Sequence, residues 1–146
     1  MSTSPGPERS GRHALGGARR RGRERALELL YEAETKGLQP TQLLAELPVA
    51  PEEYASLLVI GVEKRGAELD ALIGRHATGW AVDRMPVVDR CLLRIAAYEL
   101  LDQADVPVAA VLDEAIELAK LYSTEDSGRY VNGVLSGVAS EVRPLE

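Results

Sequence analysis

The chain has 146 residues, 45% of them hydrophobic, and a formal net charge of −6 at pH 7. This length allows one domain with a buried core. No apolar run approaches the ~20 residues of a membrane span, and no secretory signal is present. We therefore expect a cytoplasmic protein that does not enter a membrane. One Cys excludes a disulfide framework, and a chain rich in Ala, Leu, Glu and Arg with no Phe and one Trp predicts an all-α fold.

The charge is unevenly distributed along the chain. Residues 1–25 contain seven arginines and two acidic residues, while residues 26–146 carry a net charge of −11. Residues 1–17 are mostly Ser, Pro, Gly and Arg, which predicts a disordered basic arm. An all-arginine arm favours nucleic acid as its partner, because guanidinium groups bind phosphates and stack on bases. Two alternatives are a solubilising tail and an arm that pairs with the acidic body.

Apolar spacing predicts three helical segments in the N-terminal half. They span residues 18–36, residues 41–46, and a longer stripe that begins at Pro51 and reaches His76,. Gly37 is a plausible C-terminal stop for the first helix. Either Gly61 or Gly66 bends the long stripe, or the helix runs through both glycines at a cost of ~1 kcal/mol each.

The C-terminal half is predicted to contain three more helices. A break at residues 77–86 contains Trp80, and helices follow at about residues 86–101, 107–122 and 128–142,. Residues 123–127 form a polar turn. Small residues recur on one face of the last helix at Gly133, Ser136, Gly137 and Ser140, and we expect a close helix–helix approach there.

The residue types needed for catalysis are sparse. The two histidines, His13 and His76, lie far apart in sequence, and Cys91 is the single cysteine. A lone Cys on a helix is more often a small core residue than a nucleophile. No His/Cys spacing matches a metal site and no Gly-rich loop matches a phosphate cradle. We therefore expect no enzymatic activity, no metal and no cofactor.

The arginine run and the tyrosines are the candidate RNA-binding residues. The run Arg19, Arg20, Arg21 and Arg23 lies where the first helix begins, and these side chains would give phosphate contacts and a salt-sensitive affinity. A Tyr next to Arg129 could stack a base. From spacing alone, however, Tyr31, Tyr122 and Tyr130 fit half-buried packing positions better than stacking positions.

Three segments together resemble the NusB family of bacterial transcription antitermination factors. They are Arg19–Glu24 followed by Ala26-Leu27 and Leu30-Tyr31; Val88-Asp89-Arg90 through Tyr98-Glu99-Leu100; and Val106-Pro107 with Asp113–Lys120, Glu125–Ser127 and Tyr130–Leu135. The resemblance covers about residues 19–144. It implies about seven helices in two small helical bundles packed across each other, with an N-terminal subdomain at about residues 18–77 and a C-terminal subdomain at about 78–146.

The resemblance also implies a function and partners. It implies a non-enzymatic factor that binds single-stranded boxA RNA in nascent rRNA leader transcripts, together with NusE, a small-subunit ribosomal protein, and that acts in the RNA polymerase antitermination complex. The implied RNA-binding residues are Arg19, Arg20, Arg21, Arg23, Tyr31, Asp126, Arg129 and Tyr130. Asp89 is implied to face NusE. For Tyr31 and Tyr130, the resemblance favours base stacking over packing.

A second hypothesis is a homodimeric helical scaffold with a non-specific basic tail. In this hypothesis the acidic body and the small-residue face of the last helix bury a self-interface. A concentration-dependent mass would distinguish it from the antitermination hypothesis.

Overall fold

The computed structural model describes the backbone of residues 7–146 and the side chains from Gly17 onward. Every regular element in this part of the chain is helical, which confirms the all-α prediction. The elements are α1 (Pro7–Lys36), α2 (Pro40–Glu46), α3 (Glu53–Lys64), α4 (Gly66–His76), a 3₁₀ turn (Val82–Arg84), α5 (Val87–Asp102), α6 (Val108–Tyr122) and α7 (Glu125–Val142). None of the described helices is long and apolar enough to cross a membrane.

Most helix boundaries lie within one or two residues of the prediction, and the largest difference is at the start of α1. This helix begins at Pro7 rather than near residue 18. The first six residues of the predicted disordered arm lie outside the described residues. From residue 7 onward the backbone of the arm continues α1. Disorder of the arm in the absence of RNA stays a prediction.

The long apolar stripe from Pro51 to His76 divides into two helices at Arg65. The backbone of Arg65 leaves the helical region (φ −105°, ψ 18°), and Gly66 begins α4. Gly61 lies inside α3, where a Cβ would come within 2.2 Å of the Tyr98 ring. The bend is therefore at Gly66, while Gly61 allows close packing of α3 on Tyr98.

Helix α5 is the centre of the molecule. It packs against α1, α3, α4, α6 and α7, and ten of its side chains are buried, from Asp89 to Leu100. Apolar burial on all sides of one helix is typical of a central core element. The buried apolar residues of the other helices join it in one continuous core.

The packing of α4 bears on the predicted division at residues 77–78. Helix α4 packs on α5 and α7 more extensively than on α3. By its packing, α4 is associated with α5 and α7, while the predicted division into subdomains at residues 77–78 stays a prediction.

The small-residue face of α7 only partly fulfils its expected role. The ring of His76 lies against Gly137, where a Cβ would approach the imidazole within 2.5 Å. Gly133 has open space around it, and Ser136 and Ser140 are exposed. The close approach predicted for this face is thus limited to the end of α4.

Candidate nucleic-acid interface

The arginines in the middle of α1 project in different directions, because successive helical residues are about 100° apart,. The side chains of Arg20 and Arg21 are 59% and 63% exposed, and Arg19 is 31% exposed. These three side chains are accessible to a polyanion in solution. They form the arginine end of the molecule.

Arg23 does not belong to this accessible set. It is 4% exposed, and its Nε donates to both carboxylate oxygens of Glu99 at 3.1 and 3.0 Å. Its Nη1 donates to Glu114 at 3.2 Å. The guanidinium of Arg23 thus binds two carboxylates of the protein, and its predicted contact with RNA stays a prediction. The helical period explains the difference, since position 23 turns toward α5 and α6.

The buried pair of Arg23 and Glu99 is completed by Tyr54 from α3. The Tyr54 hydroxyl donates to Glu99 at 2.5 Å, and burial together with the Glu99 charge raises the tyrosine pKa. Burial would lower the pKa of Arg23, but the hydrogen bond and charge of Glu99 outweigh it and raise that pKa. Both groups therefore keep their protons at physiological pH. The cluster fixes the middle of α1 to α3, α5 and α6.

The structure brings the turn between α6 and α7 next to the arginine end. Arg20 and Lys120 line a surface depression together with three glutamates, Glu24, Glu117 and Glu125. The Tyr122 hydroxyl donates to Glu24 of α1 at 3.2 Å, and the Tyr122 ring is 48% exposed. Arg20, Lys120 and the exposed ring of Tyr122 thus lie on one surface, although Arg20 is about a hundred residues from the other two in the sequence.

Tyr122 is not one of the RNA-binding residues predicted from the sequence. Its spacing matched the inward face of α6, whereas the structure exposes it because α6 ends there. Its position as the last helical residue before the polar turn was the available signal.

The start of α7 is fixed by its cap. The Thr124 hydroxyl oxygen accepts a hydrogen bond from the Ser127 backbone amide at 3.0 Å. With this N-cap the helix begins at Glu125, earlier than the predicted residue 128,. Asp126 and Arg129 are paired at 2.5 Å and are 88% and 77% exposed. Both predicted residues are therefore accessible on the first turn of α7.

A second, more apolar groove lies further along α1. It is lined by Leu27, Glu28, Tyr31, Glu32, Val88 and Tyr122. Tyr31 is 44% exposed, and the two glutamates on either side of it are paired with Arg25 and Lys36 of the same helix. The groove and the arginine end share Tyr122 as their boundary.

Tyr130 and Asp89 lie in a different environment from the one expected. The Tyr130 ring is half-buried and meets the Trp80 ring edge-on at a centroid distance of 5.1 Å. Asp89 is completely buried, and its predicted contact with a partner stays a prediction. Among the residues that the structure describes, its two carboxylate oxygens and the Tyr130 hydroxyl have no hydrogen-bond partner. Burial and the nearby Asp89 charge raise the pKa of Tyr130.

Cys91 has the properties of a core residue. It is 1% exposed, and burial together with the Glu34 carboxylate raises the pKa of its thiol to about 12. A thiol with so high a pKa is a poor nucleophile. Within the described part of the chain, no group of three or more His, Cys, Asp or Glu side chains could hold a metal ion.

Comparisons with known proteins cover nearly all of the described helices. The family model described as the NusB family matches residues 20–140. The chain is 46% identical over 129 residues to the transcription antitermination protein NusB of Saccharopolyspora erythraea, covering 84% of this chain and 87% of that protein. It is 47% identical over 130 residues to the NusB protein of Salinispora tropica, covering 84% and 95%.

Solved structures show the same helical arrangement. The structure of T. maritima NusB matches with a TM-score of 0.76 and 37% identity, covering 84% of this chain and 91% of that one. A structure of the antitermination factors NusB and NusE in complex with dsRNA matches with a TM-score of 0.74 and 29% identity, covering 85% and 97%.

Proposed function

This chain belongs to the NusB family, and from that premise we propose that it is a transcription antitermination factor of the cytoplasm. It binds boxA RNA in nascent rRNA leader transcripts together with NusE, and it supports read-through by RNA polymerase without catalysing a reaction. The homodimeric scaffold is the less favoured alternative, since the similar proteins are antitermination factors.

The observation that carries the RNA-binding proposal is the shared surface of the arginine end and the α6–α7 turn. Arg20 and Lys120 line one depression beside Glu24, Glu117 and Glu125, and Arg129 adds a cation on α7 with 77% of its side chain exposed. Cations spaced along a surface follow a phosphate backbone and attract it over a distance set by the salt concentration. Arg19, Arg20, Arg21 and Arg129 are our proposed phosphate contacts.

Aromatic and acidic side chains on this surface supply contacts to bases. The exposed ring of Tyr122 lies beside the depression, and a base stacked on such a ring contributes ~1–3 kcal/mol. Tyr130 with Trp80 offers a second aromatic surface near the start of α7. Asp126 can accept a hydrogen bond from a base amino group, as carboxylates do with cytosine.

The groove around Tyr31 is a further part of the proposed interface. Glu28 and Glu32 flank the Tyr31 ring, but each is paired with a cation of α1, Arg25 at 3.8 Å and Lys36 at 2.7 Å. A ribosomal protein that binds rRNA is expected to be basic, and Val88 lies in the same groove directly before the buried Asp89. The exposed ring of Tyr31 stays a proposed stacking platform for an RNA base at the edge of this groove,.

The experiment compares RNA binding by the full chain and by the variant R20A/R21A at several salt concentrations. A boxA-like single strand and a scrambled strand serve as probes, with and without NusE. We expect weaker binding to both strands and a salt slope lower by up to ~0.7 for each lost phosphate contact. NusE is expected to tighten binding of the boxA-like strand.

The matched control is K64A/R84A, which removes two exposed cations from other elements. Its salt slope should equal that of the unmodified chain within error. Equal slopes for R20A/R21A and the control would contradict the RNA-binding role of the arginine end. Equal affinities for the two strands even with NusE present would contradict boxA recognition.

A further inference from the structure

Each arginine of the arginine end is paired with a carboxylate from a different part of the body. Arg19 Nη2 lies 2.7 Å from Asp105, in the turn between α5 and α6. Arg21 Nε lies 3.6 Å from Glu52, directly before α3. Arg20 Nε lies 3.8 Å from Glu114 of α6. The arginine end is thus held on three sides by acidic groups of its own chain.

Carboxylates and phosphates compete for the same guanidinium donors, because both are planar or tetrahedral oxyanions that accept N–H groups in pairs. We propose that Glu52, Asp105 and Glu114 act as internal competitors of RNA, occupying the arginine end until several phosphates displace them together. This inference rests on the proposed RNA-binding function and adds the groups that set the strength of binding.

The two carboxylate oxygens of Glu114 bind different arginines, one buried and one exposed. One of its oxygens binds the buried Arg23 at 3.2 Å, and the other faces the exposed Arg20 at 3.8 Å. When a phosphate takes Arg20, Glu114 keeps its hydrogen bond from Arg23 and is not left without a donor. Exchange at Arg20 therefore proceeds without disturbing the cluster that anchors α1.

The other two competitors are easily released. Asp105 is 71% exposed and Glu52 is 48% exposed, so water solvates both carboxylates as soon as the arginines leave them. Exposed ion pairs of this kind stabilise by only ~0.2–1 kcal/mol. One competing phosphate gains little from such an exchange, whereas an RNA strand that supplies several phosphates gains at each arginine. An isolated anion displaces one competing carboxylate, whereas a continuous strand displaces several, so the competitors lower the affinity for the strand by the larger total factor.

The experiment measures RNA affinity of the full chain carrying E52Q/D105N. Glu114 stays unchanged, because its loss would also disturb Arg23. The matched control is E53Q/D113N, which changes the net charge equally at two exposed carboxylates that form no ion pair among the described residues. Both variants are assayed at low salt with the boxA-like and scrambled single strands, and their thermal stability is recorded.

We expect E52Q/D105N to bind about 2- to 25-fold more tightly than the control, from about 1.5- to 5-fold for each released pair. The factor should be the same for both strands, since phosphate contacts carry no sequence information, and it should shrink at high salt. Equal affinity of the two variants, with arm-dependent RNA binding intact, would overturn the inference alone. An absence of RNA binding by every form would instead overturn the proposed function.

Discussion

Substitution of Arg23 by Met tests whether the buried arginine serves the fold or the RNA. The methionine keeps the aliphatic part of the side chain and removes the guanidinium that binds Glu99 and Glu114. Glu99, which is 1% exposed, then keeps only the Tyr54 hydroxyl as a donor. Removing one partner of a buried ion pair costs ~3–5 kcal/mol, because the remaining charge is uncompensated.

A loss of this size is readily measured by thermal unfolding. For a chain of this length it corresponds to a decrease in Tm of about 6–20 °C. The double variant R23M/E99Q neutralises the stranded carboxylate and should recover part of the loss. The exposed counterpart R20M should leave Tm within about 2 °C, since exposed pairs contribute little.

RNA binding should change in the opposite order when it is measured well below the Tm of each variant. R20M should lower the salt slope, whereas R23M should keep the slope of the unmodified chain. If R23M kept its Tm and lost the salt-dependent part of RNA binding, the argument from burial would be refuted and Arg23 would be a phosphate contact.

Three further predictions follow from the contacts around the core. Tyr130→Phe should leave Tm unchanged or raise it and should preserve any RNA stacking, because the buried Tyr130 hydroxyl has no partner among the described residues,. Tyr130→Ala should lower RNA affinity by ~1–3 kcal/mol if the ring stacks a base. A loss of stability with normal RNA binding would limit Tyr130 to packing. Arg143→Met should lower the free energy of unfolding in urea by about 2–3 kcal/mol. The reason is that Arg143 donates hydrogen bonds to the carbonyls of Glu99, Leu100, Gln103 and Val106. An unchanged urea midpoint would show that water replaces these bonds without cost. Hydrogen bonds from Arg75 and His76 hold the pKa of Glu141 at about 2, below its unfolded value of about 4.3. The stabilising effect of Glu141 is therefore present above that unfolded pKa and is lost as pH falls toward 2. Glu141→Gln should make the free energy of unfolding less dependent on pH over this interval, and an unchanged pH profile would contradict the role of these hydrogen bonds.

The sequence determined the helical fold because its signals act over short distances. Apolar residues at helical spacing predicted α5 at residues 86–101, and the structure has Val87–Asp102. Polar link residues and prolines predicted the ends of α2 and α6 equally well,. Sequence motifs in three segments also identified the family, which the comparisons confirm.

Only the tertiary structure decided which charged and aromatic side chains are available to partners. Arg23 and its neighbour Arg21 have the same local sequence signal, yet one meets Glu99, 76 residues away, and the other stays exposed. The burial of Asp89 and the exposure of Tyr122 likewise depend on which helices cover them. Helix formation is encoded by neighbours within a few residues, whereas burial and ion pairing depend on contacts between distant segments, and a sequence pattern does not specify those contacts.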